Sequence, residues 1–125
     1  MEFIDHSEHF SRDELKCKFT GECSMSSSFL TKLETLRTHY GKPIYISSAF
    51  RHENHPAEKA KKAKNKTGYH VLGRAVDIKC WNSDGAHLLQ IAIQLNLFGG
   101  YGFKFTGANR FLHLDDREEL MIWSY

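Results

Sequence analysis

The sequence predicts an α+β domain in which a small, mainly antiparallel sheet is flanked by helices. Two observations carry this. Two stretches, about 27–40 and 84–96, repeat apolar residues at helical spacing, and three short runs near residues 43–50, 74–78 and 111–115 alternate apolar with polar residues as half-buried strands do. Turn and cap residues separate these stretches, and nothing in the chain repeats or thins into a low-complexity linker. At 125 residues the expectation is one domain, 1–125.

The elements follow in order. Residues 1–24 are polar and irregular, interrupted by Ser11-Arg12-Asp13-Glu14, a capping-box pattern that starts a short helix and lays Phe10 and Leu15 on the core. Ser26, Ser27 and Ser28 then offer caps for a longer helix. Its apolar face is Met25, Phe29, Leu33, Leu36 and Tyr40; Gly41 stops it and Pro43 bars its return. Residues 43–50 read as a strand running into Arg51. Ala57 to Lys66 carries five lysines and reads as a solvated run that can begin helical, with Pro56 in its first turn. Ser83-Asp84-Gly85 opens a second helix with Leu88, Ile91, Ala92 and Leu95 on one side, and His87 reads as a surface or half-buried residue. Gly99 to Phe103 reads as a tight strand close to another backbone. Thr106 to Arg110 makes the turn into the last alternating run, and Trp123 in the tail packs either the core or the rim of a site.

Composition excludes several classes. A hydrophobic content of 41% supports a buried core, and a net charge of +2 does not mark a nucleic-acid binder. The lysine run lacks the interleaved aromatics that stack bases, so no specific nucleic-acid partner is expected. No apolar run reaches the roughly 20 residues that span a bilayer. The first residues lack the basic start and apolar stretch of a secretory signal, so synthesis in the cytoplasm without such a signal is expected. Cys17, Cys23 and Cys80 are an odd number and read as small thiols rather than a disulfide framework; a Cys17–Cys23 pairing or second metal stays open. His52 and His55 are not spaced as helical ligands.

The chemistry lies in two stretches. In Arg74 to Ile78, Val76 and Ile78 share one face and Ala75 and Asp77 the other; in Phe111 to Asp115, Leu112 and Leu114 oppose His113 and Asp115. Each strand thus pairs an apolar face with a polar face bearing potential ligands. If both lie in one sheet, Asp77 and His113 converge, and a turn at Gly73 brings His70 over them. Two imidazoles and a carboxylate with a fourth position open suit one Zn²⁺ per chain, poised for hydrolysis. A non-heme iron site uses the same residue types, but there His-x-Asp comes first and a histidine follows it; here His113-x-Asp115 comes last.

The ordered blocks Phe10 to Leu15, Gly41 to Arg51, His70 to Asp77 (His-x6-Asp) and His113-Leu114-Asp115 (His-x-Asp) resemble the zinc D-alanyl-D-alanine carboxypeptidases and L-alanyl-D-glutamate endopeptidases, in their small single-domain phage and bacterial branch. The resemblance spans most of residues 10–115. It implies a hedgehog/DD-peptidase-like fold, a zinc metallopeptidase acting on bacterial cell-wall stem peptides as carboxypeptidase or endolysin-type endopeptidase, zinc on His70, Asp77 and His113, and substrate contacts from Arg51 and Ser48. A monomer is expected, released by phage lysis or carried in a virion, or else bacterial and cytoplasmic. Several branches place an acid three residues before the last zinc histidine, where this chain has Arg110. Asp115 is then the first candidate for the catalytic base, with orientation of a ligand histidine as its competing role. A non-catalytic zinc module of the same fold is the alternative.

Overall fold

Leu112, Leu114, Val76 and Ile78 are fully buried and project from one face of a sheet onto Phe29, Leu30, Leu33 and Leu36 of the longest helix; this seam is the core. The opposite face of the same strands carries Asp77, His113 and Asp115, as period-2 alternation requires. The structure, a computed structural model, describes residues 2–66, 68–81 and 83–125.

In chain order the elements are β1 (Phe3–Ile4), α1 (Arg12–Leu15), β2 (Met25–Ser26), α2 (Ser27–Tyr40), β3 (Ile46–Ser48), α3 (Pro56–Lys62), β4 (Ala75–Lys79), α4 (Asp84–Leu95), β5 (Gly100–Lys104), β6 (Phe111–Asp115) and β7 (Met121–Ser124). The main sheet runs β3-β4-β6-β5-β7, antiparallel except for the parallel β5–β7 pair, and β1 pairs with β2 apart from it. The fold is α+β, as the alternating patterns predict.

Local chemistry accounts for most boundaries. Ser11 and Glu14 close the capping box on α1. The Ser26 hydroxyl accepts from the Phe29 amide, and α2 buries Phe29, Leu33, Leu36 and Tyr40. The 106–110 turn links β5 to β6 as an antiparallel hairpin. His55 caps α3 through its ring, and Pro56 takes the first position, where a missing amide hydrogen costs nothing.

Three expectations change. The strand expected over 43–50 shrinks to Ile46–Ser48, with a register irregularity at that point. The N-terminal 24 residues contribute a strand, β1, whose two residues are too few to show a period. The tail forms β7, which leaves Leu120, Met121 and Ile122 exposed on the sheet edge, a pattern that alternation does not reveal. The three cysteines are free.

Gly73 sits at φ +68°, and a side chain there would run into the Ser24 carbonyl and the Met25 backbone. The tight turn it permits delivers His70 to the sheet.

Leu114→Ala empties a site with no solvent exposure. It is expected to cost about 2–5 kcal/mol in urea unfolding; a loss under about 1 kcal/mol would show that this seam is not the core.

Candidate metal centre

β4 and β6 pair so that Asp77 lies directly opposite His113, and the 68–73 turn places His70 beside both. One donor atom from each of the three residues falls within 4.8 Å of the others, and all three residues are buried.

Each ring is fixed by its other nitrogen. His70 Nδ1 donates to the Ala49 carbonyl at 2.7 Å, which turns Nε2 toward Asp77 Oδ1 at 3.4 Å. His113 Nδ1 lies 2.9 Å from the same oxygen, and its Nε2 lies 2.7 Å from Asp115 Oδ2. An acceptor behind each imidazole is the arrangement that orients metal-binding histidines. The electrostatics of His113 and Asp77 point the same way. His113 faces a carboxylate at both nitrogens, and although burial opposes the charged ring, the bonds to Asp115 and Asp77 raise its pKa. Burial likewise pushes Asp77 toward its neutral form, but His113 and His70 outweigh it and hold the carboxyl far below the usual range. A buried anion thus has two imidazole nitrogens against one oxygen. Two imidazoles and a carboxylate that converge in this way fit a divalent cation.

Asp115 is closed off from solvent. Burial raises its pKa, but Arg117 and then His113 bring it far below the usual range. The Arg117 guanidinium forks onto both carboxylate oxygens, at 2.7 and 2.6 Å, and lies over the rings of Tyr69 and Trp123, with its central carbon 4.7 and 5.0 Å from their centres. Asp115 therefore borders the cleft with both oxygens already taken, by His113 and by Arg117. A Cβ on Gly100, its partner across β5, would fall on the Asp115 carboxylate.

Arg51 forms the next layer. Its Nη2 donates to Asp77 Oδ2 and its Nη1 to Glu58 Oε2, both at 3.2 Å, while Nε donates to the Ser48 hydroxyl at 3.0 Å. Arg51 borders the cleft; Ser48 stands behind it as a brace and is not among the residues that line the cleft. Glu58 is buried and also takes Lys61 at 3.1 Å. Burial opposes its charge, yet Lys61 and Arg51 keep its pKa low.

The triad forms the floor of a cavity of about 710 Å³, walled by Arg51, Lys64, Lys66, Tyr69, Trp123 and Tyr125. Trp123 covers the rim, its ring centre 5.4 Å from that of His113. His52 and His55 stay outside: His52 faces Glu22, and His55 caps α3.

The family model of peptidase M15 matches residues 8–115. The chain belongs to the peptidase M15 family. A search of curated proteins finds no match. Peptidase M15 enzymes are zinc-dependent, which agrees with a donor set of two imidazoles and one carboxylate.

Sequence reasoning missed Glu58 and Arg117. Arg117 had a signal, since it continues the odd-numbered face of His113 and Asp115. Glu58 had none beyond its i,i+3 spacing from Lys61, because burial of an acid within a lysine run depends on where α3 packs.

Gly100→Ala is expected to displace Asp115, to lower stability by about 1–3 kcal/mol, and to weaken metal binding. Urea unfolding of the metal-free protein and competition with a chelator measure the two effects. A variant that matches its parent in both would mean the strands sit further apart than described.

Proposed function

We propose that the protein is a zinc peptidase, with one Zn²⁺ per chain on His70, Asp77 and His113, that hydrolyses peptide bonds in bacterial cell-wall stem peptides. The observation that carries this reading is the convergence of three oriented donors on the floor of an open cleft rather than inside a closed core. Structural zinc sites are closed by a fourth protein ligand, whereas catalytic ones leave a position for water. When bound, the ion supplies Lewis-acid polarisation of a carbonyl and a water acidic enough to attack it.

The chain's own residues divide the remaining work. Asp115 acts through His113: it accepts from Nε2, and Arg117 keeps it ionised and in place. This supports the orienting role for Asp115 over that of base, since both its oxygens are occupied and it has no solvent exposure. Arg51 presents a guanidinium at the cleft wall beside Asp77, where it can receive a substrate carboxylate or the oxygen that gains charge during attack. Ser48 and Glu58 hold two of its edges, so the planar group is already oriented when substrate arrives.

One observation favours a second reading. Position 110 holds arginine rather than an acid, and the two carboxylates that line the metal cleft, Asp77 and Asp115, are both engaged. A zinc-bearing recognition module would keep this ligand geometry without a free base.

Zinc counted on protein purified without added metal, together with mass spectrometry of peptides released from purified peptidoglycan, separates these readings. The peptidase reading expects about one zinc per chain and a defined product, with both lost in His113→Ala. Asp115→Asn should keep the fold and weaken zinc binding by roughly 10–100-fold. One zinc with no product from walls of several chemotypes would favour the recognition module, and no zinc after zinc is supplied would remove the site itself.

A further inference from the structure

The groove continues past the ligands. Strand register sets Asp77, His113 and Gly102 in one row across the sheet and Lys79, Phe111 and Lys104 in the next row on the same face. Two residues of strand separate the rows, roughly 7 Å. A second cavity, of about 600 Å³, opens over this lysine row and is bounded by Trp81 and the 107–110 turn. Asp77 and Phe111 line both cavities, so the two meet at the ligand row. Each alone falls within the size range that encloses a drug-sized molecule.

The charge of this second half is one-sided. Lys79, Lys104 and Arg110 line it, and among the described residues none of them forms an ion pair with a carboxylate. Lys104 donates to the Ala108 carbonyl at 2.5 Å, which holds its ammonium near the turn. Among the described residues the single acid lining this half is Asp77, already engaged by Arg51, His70 and His113.

We infer that the protein cuts internal bonds. The peptide runs through both cavities, and the lysine row receives a carboxylate of the chain about two residues from the cleaved bond. The inference rests on the peptidase reading and adds to it the mode of cleavage and the charge of the preferred substrate. An exopeptidase needs a groove closed just beyond the ligands, where a terminal residue is gripped; here the sheet face stays open for a further row. Two residues of extended peptide span the same roughly 7 Å as the row spacing, so the lysine row falls level with a side chain and not with the reacting carbonyl.

The test uses zinc-loaded full-length protein and synthetic peptides, each made in two forms, blocked at both ends and with a free C-terminus. A single glutamate is walked along either side of the bond identified by mass spectrometry, and each peptide is compared with its glutamine twin. The expected result is internal cleavage with KM about tenfold lower for glutamate than for glutamine at one position, near two residues from the bond. Lys79→Glu, on an exposed side chain, should erase that preference and leave kcat for the glutamine peptide unchanged; Lys104→Gln should do the same in part. Cleavage restricted to peptides with a free terminus, or a preference that survives Lys79→Glu, overturns the inference. If no peptide is cut, the peptidase reading falls separately. Fluorescence anisotropy of the labelled glutamate and glutamine peptides then decides the cationic groove: tighter binding of the glutamate peptide, lost in Lys79→Glu, supports it, and equal binding overturns it.

Discussion

Asp77 is the group on which the other polar contacts depend. Its Oδ1 collects a nitrogen from each of two histidines, and its Oδ2 takes Arg51. A buried carboxylate is tolerated only when its lone pairs are satisfied and its charge is matched. The β4–β6 register meets that condition by placing His113 directly across from it. A slip of one residue would turn Asp77 to the core and Ile78 to the cleft, so packing of Val76 and Ile78 against the α2 seam also holds the polar site in register. The hydrophobic core and the candidate metal centre are two faces of one pairing.

The polar layer is built outward from that point by alternating charge. Asp77 leads to Arg51, Arg51 to Glu58, and Glu58 to Lys61; on the other side His113 leads to Asp115 and Asp115 to Arg117. Each buried acid is matched by a cation that reaches toward solvent. Deleting one member leaves its neighbour buried and uncompensated, which costs more than the contact itself contributes. His70, Asp77 and His113 would hold a metal ion, and the outer contacts already fix two of these three side chains in the arrangement described. Such preorganisation lowers the ordering cost of binding.

Much of this was legible in the sequence because it rests on period. The two-residue alternation around Asp77 and His113 and the helical spacing of Phe29, Leu33, Leu36 and Tyr40 are local signals, and the folded chain keeps them. What escaped depends on contacts between distant segments. β1 is two residues long and exists because Met25 and Ser26 offer an edge to it. The strand at 43–50 shortens because only Ile46 to Ser48 find β4 beside them. Ser48 faces Arg51 instead of the cleft, and no spacing rule tells a bracing hydroxyl from a ligand-facing one. Asp115 shares a face with His113, as alternation requires; that Arg117 closes over it follows from the path of the chain after β6, where Tyr69 and Trp123 form the two walls that receive the guanidinium.

The same distinction separates the two halves of the groove. Around the ligands, acids and bases are buried, paired and mutually fixed, so their fields largely cancel beyond the first few ångströms. Among the described residues the cations around Lys79 and Lys104 have no carboxylate partners, and their field extends into the cavity, where low-dielectric walls strengthen it relative to open water. A peptide bound as proposed would meet a neutralised ligand row and a positive flank. Attraction then acts on the substrate's own charge at a fixed distance from the ligands, and the row spacing of the sheet sets that distance. Specificity of this kind would require no loop to close, because the pairing of β4 and β6 that sets Asp77 opposite His113 also fixes where the positive row begins.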